Sequence, residues 1–163
     1  MLIQVPYNRG GALRYAKTWA LRRNPVYMDF QTMGGDCTNF ASQCIFAGSQ
    51  VMNYTPVLGW FFAGADNRTA SWSGVQFLYN FITSNAGAGP FAVETDRSRL
   101  ESADIIQLGD ATGHFYHTPF VVQITPQDIF VAAHTFDAYM RPLSSYQYEK
   151  IRYLHIEGVR KYQ

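Results

Sequence analysis

Cys37 follows Gly34-Gly35-Asp36 and opens the run Thr38-Asn39-Phe40-Ala41-Ser42-Gln43-Cys44, a pattern that predicts a helix beginning at the cysteine. At a helix start the backbone N–H groups and the positive end of the dipole favour an anion, so a thiol there gains thiolate character. Two histidines lie on apolar, strand-like segments downstream. His117 precedes Thr118-Pro119-Phe120-Val121-Val122-Gln123-Ile124, and His134 ends Ile129-Phe130-Val131-Ala132-Ala133. A cysteine and two imidazoles are the residue types of a nucleophile, a base and an orienting group for acyl transfer.

The segment Thr125-Pro126-Gln127-Asp128 is a good turn sequence between those strands. If Thr125 pairs with Asp128, His117 faces Phe136 and Pro119 faces His134, which puts both imidazoles on one sheet face. Diagonal neighbours of that kind stand roughly 7–8 Å apart. A three-residue loop would reverse the parity. His114 lies in a Gly-rich loop and His155 on a C-terminal strand, and neither has a suggested partner. Asp36 opposes the thiolate: as N-cap its carboxylate would place negative charge beside the sulfur, which His117 must outweigh. Cysteine with two histidines is also a zinc-binding set, a competing reading; the nucleophile reading needs no metal and no cofactor.

These residues must be held by elements that the sequence also indicates. Asn8 is a plausible N-cap for an amphipathic helix carrying Leu13, Ala16, Ala20 and Leu21, which should stop at Asn24 because Pro25 follows. The second helix should run from Cys37 to about Ala47, with Gly48 as its stop. On it Cys44 is a core residue, and seven residues of helix separate it from Cys37 by roughly 10 Å, too far for a disulfide. Ser71 should cap a third helix through Trp72, Val75, Leu78, Tyr79 and Ile82 to Asn85. From residue 103 the pattern changes to strands over residues 104–108, 118–125, 129–135 and 150–156. Helices first and strands afterwards predict an α+β fold with an antiparallel sheet.

Composition sets the outer bounds. A chain of 163 residues fits one domain, residues 1–163, and can bury a sizeable core. With 47% apolar and 15% charged residues it is an ordinary globular sequence, and a net charge of +1 points to neither nucleic acid nor an anionic membrane. No apolar run approaches a membrane span, and the opening residues lack the features of a signal peptide. A monomer is expected. The 12 Phe, 11 Tyr and 3 Trp should mostly be core, although Trp60, Trp72 and nearby tyrosines could also line a groove for a glycan or peptide.

The run Gly35 to Cys44 occurs together with Tyr7-Asn8-Arg9, Tyr15-Ala16, Asn24-Pro25-Val26-Tyr27, Ser71-Trp72, His117, Ala133-His134-Thr135-Phe136-Asp137 and Ile151-Arg152-Tyr153. In these motifs the chain closely resembles the putative amidase domain family of Gram-positive bacteria, over nearly its whole length. More distantly its layout is similar to NlpC-type and CHAP cell-wall peptidases, which are papain-like, with Ala103-Asp104-Ile105-Ile106 where a Gly-Asp strand would be. That resemblance implies a cysteine amidase or endopeptidase acting on peptidoglycan stem peptides at the cell wall, as an endolysin does. It implies Cys37 as nucleophile, His117 as base and His134 as orienting residue, with Asp137 as the alternative third member. Gln31 and Tyr27 are the candidates for a second oxyanion donor beside the Cys37 N–H. The rival reading is a binding module that keeps the fold without turnover.

Overall fold

The computed structural model describes residues 1–163. Asn8 accepts the Gly11 N–H at 3.0 Å and starts α1 (Arg9–Trp19), which buries Ala12 and Ala16. The helix stops five residues before the expected end at Asn24. The Trp19 carbonyl, which would have continued the ladder, meets the His134 ring at 2.9 Å and accepts the Arg22 N–H at 3.3 Å in a tighter turn.

Helix α2 (Cys37–Ser49) starts where expected but runs through Gly48 and ends on Gln50, whose left-handed backbone (φ 58°) closes it. Gly48 serves a different purpose from a stop. A Cβ there would lie 2.5 Å from the Tyr7 ring and 2.7 Å from the Asn8 carbonyl, so the missing side chain is what lets α2 meet the approach to α1. The expected third helix is two, α3 (Ala70–Ser73) and α4 (Val75–Ser84), parted by an extended Gly74.

The strands are β1 (Leu2–Val5), β2 (Phe62–Gly64), β3 (Asn67–Arg68), β4 (Gly89–Thr95), β5 (Ile105–Gly109), β6 (Phe115–His117), β7 (Phe120–Ile124), β8 (Ile129–Ala133), β9 (Ala138–Pro142) and β10 (Lys150–Tyr162). β2 and β3 form a small hairpin, and the others join one sheet in the order β1-β10-β5-β7-β8-β9, with β4 also on β10 and β6 also on β5. Every pairing is antiparallel. β10 is the spine of the sheet: it outlasts the expected strand by six residues and pairs in turn with β5, β4 and β1.

Alternation along the strands sorts the core into two layers. Ile105, Phe120, Ala132 and Leu154 pack with Phe40, Ala41, Trp60 and Trp72 from the helical side. Ile106, Leu108, Val121 and Val131 pack with Leu100 and Leu143 on the other. The chain is therefore α+β, with its long helices on one face of an antiparallel sheet.

The turn forms as expected, Thr125 N–H donating to the Asp128 carbonyl at 2.9 Å, and Ile124 faces Ile129. A bulge at Val122 then shifts the register, so that Val121 faces Val131. One extra residue reverses the side-chain parity beyond it. Consequently His134 lies on the helical face, stacked on Phe40, whereas His117 pairs with Leu108 of the opposite layer. The expectation that the two imidazoles share a face is corrected on this ground.

Within a helix, Gly→Ala ordinarily stabilises by about 1 kcal/mol. Gly48→Ala should instead destabilise by roughly 1–3 kcal/mol, because the added methyl overpacks against ring and backbone. The check is a lowered urea midpoint; a raised one contradicts the close-approach account.

Candidate active site

The site is built from the residue before the cysteine. Asp36 is fully buried, and its carboxylate makes no capping bond to α2. It turns inward instead, accepting from Phe30 N–H (2.8 Å), Asn39 Nδ2 (2.8 Å) and His134 Nδ1 (2.5 Å), with Arg23 Nε at 3.5 Å. The first N–H groups of α2 are thus left without a capping side chain. Gly34 and Gly35 reach this point with φ of 99° and 105°, and a Cβ on Gly35 would lie 3.0 Å from Thr135 Oγ1. That same hydroxyl accepts the Asp36 N–H at 2.9 Å.

Cys37 is buried and lines a cavity of about 350 Å³, whose walls also include Ser73, Phe77, Phe115 and Tyr116. Burial pushes its thiol above the ordinary value; interactions with the Thr118 backbone and with Thr38 pull the other way, and the charge of Asp36 is a lesser contribution upward. The Thr38 hydroxyl is 3.8 Å from the sulfur and in turn meets Thr118 Oγ1 at 2.9 Å. The nucleophile candidate is therefore fastened to the residue that follows His117.

His117 is 8% exposed, and its Nε2 is buried without a hydrogen-bond partner. Burial, reinforced by Arg141, lowers its pKa from 6.5 to about 4. The imidazole is neutral at ordinary pH. Its ring centroid lies 5.4 Å from that of Tyr146, whose buried hydroxyl also has no partner. Burial raises the Tyr146 phenol, Arg141 opposes this, and Cys37 is close enough to add to it. Tyr116 walls both the Cys37 cavity and a smaller one of about 220 Å³ reached by His117, Arg141 and Tyr146.

The other expected site residues fall elsewhere. His134 gives both ring nitrogens to other groups, Nδ1 to Asp36 and Nε2 to the Trp19 carbonyl at 2.9 Å, so it does not orient His117. Asp137 is held by Arg23 at 2.7 Å. Gln31 is exposed and 3.5 Å from Arg23, Tyr27 stacks on Trp72 and tilts against Phe62, and neither lines the Cys37 cavity. Trp60 and Trp72 are fully buried, donating to Ser42 Oγ and Asn39 Oδ1, and form core rather than groove. His155 joins Arg9 on the buried Asp104, while His114 lines the Cys37 cavity. No three His, Cys, Asp or Glu side chains are grouped to hold a metal ion, and both cysteines are free thiols. Tyr146, Arg141 and Thr118 escaped the sequence reading; the only signal near Thr118 was its adjacency to His117.

Helices layered on an antiparallel sheet, with a cleft at a helix start, define an α+β protein. The chain belongs to the family described as Putative amidase domain, whose model matches residues 6–156. That description is of a hydrolase. The chain is 35% identical over 146 residues to "Uncharacterized protein YhbB" of Bacillus subtilis (strain 168), covering 83% of this chain and 43% of that protein. It thus spans less than half the length of this relative. No solved structure matches the chain.

The depressed pKa of His117 has a consequence for stability. As pH falls below 6.5 the unfolded histidine binds a proton that the folded one refuses until about 4. Stability should decline through that window, by on the order of 3 kcal/mol from this group. His117→Gln should flatten the decline in urea titrations at pH 7, 5.5 and 4; an identical slope in both proteins contradicts the assignment.

Proposed function

We propose that the chain is a cysteine-dependent amide hydrolase of papain-like, NlpC/CHAP-type layout, in which Cys37 is the nucleophile and His117 the base. One observation carries this reading: a cysteine at an uncapped helix start opens on a cavity and is fastened to Thr118, beside a histidine whose buried Nε2 has no partner. Membership of a family described as an amidase domain supports the reaction class. The resemblance to cell-wall peptidases supports peptidoglycan stem peptides as substrate and the cell wall as the place of action. Residues 1–163 would act as one domain and as a monomer.

The charges at rest determine the order of events. Burial keeps the thiol protonated and the imidazole neutral, so the pair is not a preformed thiolate and imidazolium. The proton passes from Sγ to His117 as the sulfur attacks the carbonyl carbon. The oxygen that becomes negative is received by the Cys37 N–H at the positive end of α2 and by the Tyr146 hydroxyl, in place of Gln31 or Tyr27. His117 returns its proton to the departing amine as the C–N bond breaks, leaving a thioester. Water, deprotonated by His117, then releases the acid and the free thiol. The working unit is a dyad, and His134 serves it by fixing Asp36.

A non-catalytic binding module is favoured by one observation, that neither nitrogen of His117 has a hydrogen-bonding partner to orient it. Mass spectrometry of digested peptidoglycan separates the readings, because hydrolysis creates new amine and carboxyl ends. Cys37→Ala and His117→Ala should each lower their release by at least about 10³-fold, with the circular dichroism spectrum unchanged. Retention on peptidoglycan without new ends from the wild-type protein contradicts the enzyme reading.

A further inference from the structure

Arg141 is one of eight arginines of this chain with no ion-pair partner; only Arg9 and Arg23 have one. Arg9 is committed to Asp104 and Arg23 to Asp29, Asp36 and Asp137. Arg141 has no carboxylate within ion-pair distance, although its guanidinium is held in place. Nε donates to Ser145 Oγ at 2.8 Å, Nη2 donates to the Ser145 carbonyl at 3.2 Å, and the group lies 3.7 Å over the Tyr146 ring, near enough to its hydroxyl to oppose the upward push of burial on the phenol. Nη1 takes no partner. Side-chain freedom has already been given up, yet Nη1 is unused and the residue lines a cavity.

The cavity of about 220 Å³ into which this group reaches is walled mainly by the rings of Tyr116, Phe136 and Tyr146, with His117 beside them. Two further polar atoms there, His117 Nε2 and Tyr146 Oη, are buried and unpartnered. Thr135 and Phe136 hold the rim with φ of 61° and 59°, a left-handed backbone that is costly for residues with a Cβ. A preset cation with aromatic walls suits a planar anion, because a guanidinium presents parallel N–H donors to a carboxylate. No acidic side chain of the chain itself lines this cavity.

We propose that Arg141, with the Tyr116, Phe136 and Tyr146 walls, is a carboxylate-binding subsite that selects amide substrates carrying a free carboxylate next to the scissile bond. This rests on Cys37 being the nucleophile. Tyr116 walls both this cavity and the one that Cys37 lines, and Tyr146 feels the charge of Cys37, so the carboxylate is placed beside the bond under attack. A neutral or cationic neighbour at that position leaves the Arg141 donors unmatched, and discrimination against it follows from that loss.

The test uses a matched pair of thiol reagents, iodoacetate and iodoacetamide, which differ only in the carboxylate. The ratio of Cys37 alkylation rates, iodoacetate over iodoacetamide, is measured by mass spectrometry for the wild-type protein and for Arg141→Gln. Taking the ratio removes any general change in thiol reactivity caused by the substitution. The wild-type ratio should exceed that of Arg141→Gln about tenfold, as expected for one charge-assisted contact, and Arg141→Lys should restore part of it. Equal ratios overturn the subsite while leaving Cys37 as nucleophile; an iodoacetamide rate at Cys37 that is the same in His117→Ala as in the wild-type protein overturns the base-assisted nucleophile and the subsite with it. Protection of Cys37 from iodoacetamide by N-acetyl peptides ending in a free C-terminus, or by amidated peptides ending in glutamate, shows which carboxylate the subsite accepts. Protection by neither contradicts the proposal.

Discussion

The buried carboxylate of Asp36 is the constraint from which the site is assembled. Its partners come from four directions: hydrogen bonds from the loop before α2 through Phe30, from α2 itself through Asn39 and from the end of β8 through His134, and the charge of Arg23 at 3.5 Å from the segment after α1. Removing such a charge from water costs several kcal/mol unless its acceptors are filled. Here they are. His134 continues the connection, since its second nitrogen reaches the Trp19 carbonyl at the end of α1. Both of its nitrogens are thus engaged, one by a carboxylate and one by a backbone carbonyl. Sheet, loop and two helices are thereby tied together one residue from the candidate nucleophile.

That arrangement also resolves a conflict between structure and chemistry. A carboxylate next to a cysteine should suppress the thiolate, and an Asp at the N-cap would ordinarily occupy the N–H groups that favour an anion. By turning inward to His134 and Asn39, Asp36 keeps its structural role and leaves the helix start open. What then holds the thiol neutral is mainly burial, with the Thr118 backbone and Thr38 opposing it. Burial lowers His117 as well. Both groups rest uncharged, which suits a proton transfer coupled to attack.

Much of the local structure was legible in the sequence because local rules decide it. The cap at Asn8, the helix start at Cys37 and the turn at Thr125–Asp128 each depend on a few neighbouring residues. Family membership was legible for the same reason, being carried by short ordered motifs. The pairing of His117 with His134 was not. It required side-chain parity to survive the length of β7, and one bulge at Val122, for which the sequence Val121-Val122-Gln123 offers no sign, reversed it. Gly48 reads as a helix stop, whereas its real constraint is the Tyr7 ring, forty-one positions away in sequence. Trp60 and Trp72 could have lined a groove, but their indole N–H groups find Ser42 and Asn39 in the interior. Tyr146 and Arg141 reach the cleft only through the fold of β9 and the turn after it.

The central claim is that Cys37 itself attacks an amide carbonyl, and a trapped acyl-enzyme tests it most directly. Protein mixed with soluble peptidoglycan stem peptides, quenched in acid and digested, should yield a Cys37-containing fragment heavier by the acyl half of the cleaved peptide. The added mass should disappear on treatment with hydroxylamine, as a thioester does. Cleavage that continues while Cys37 stays unmodified at every quench time, or that persists in Cys37→Ala, would contradict the account.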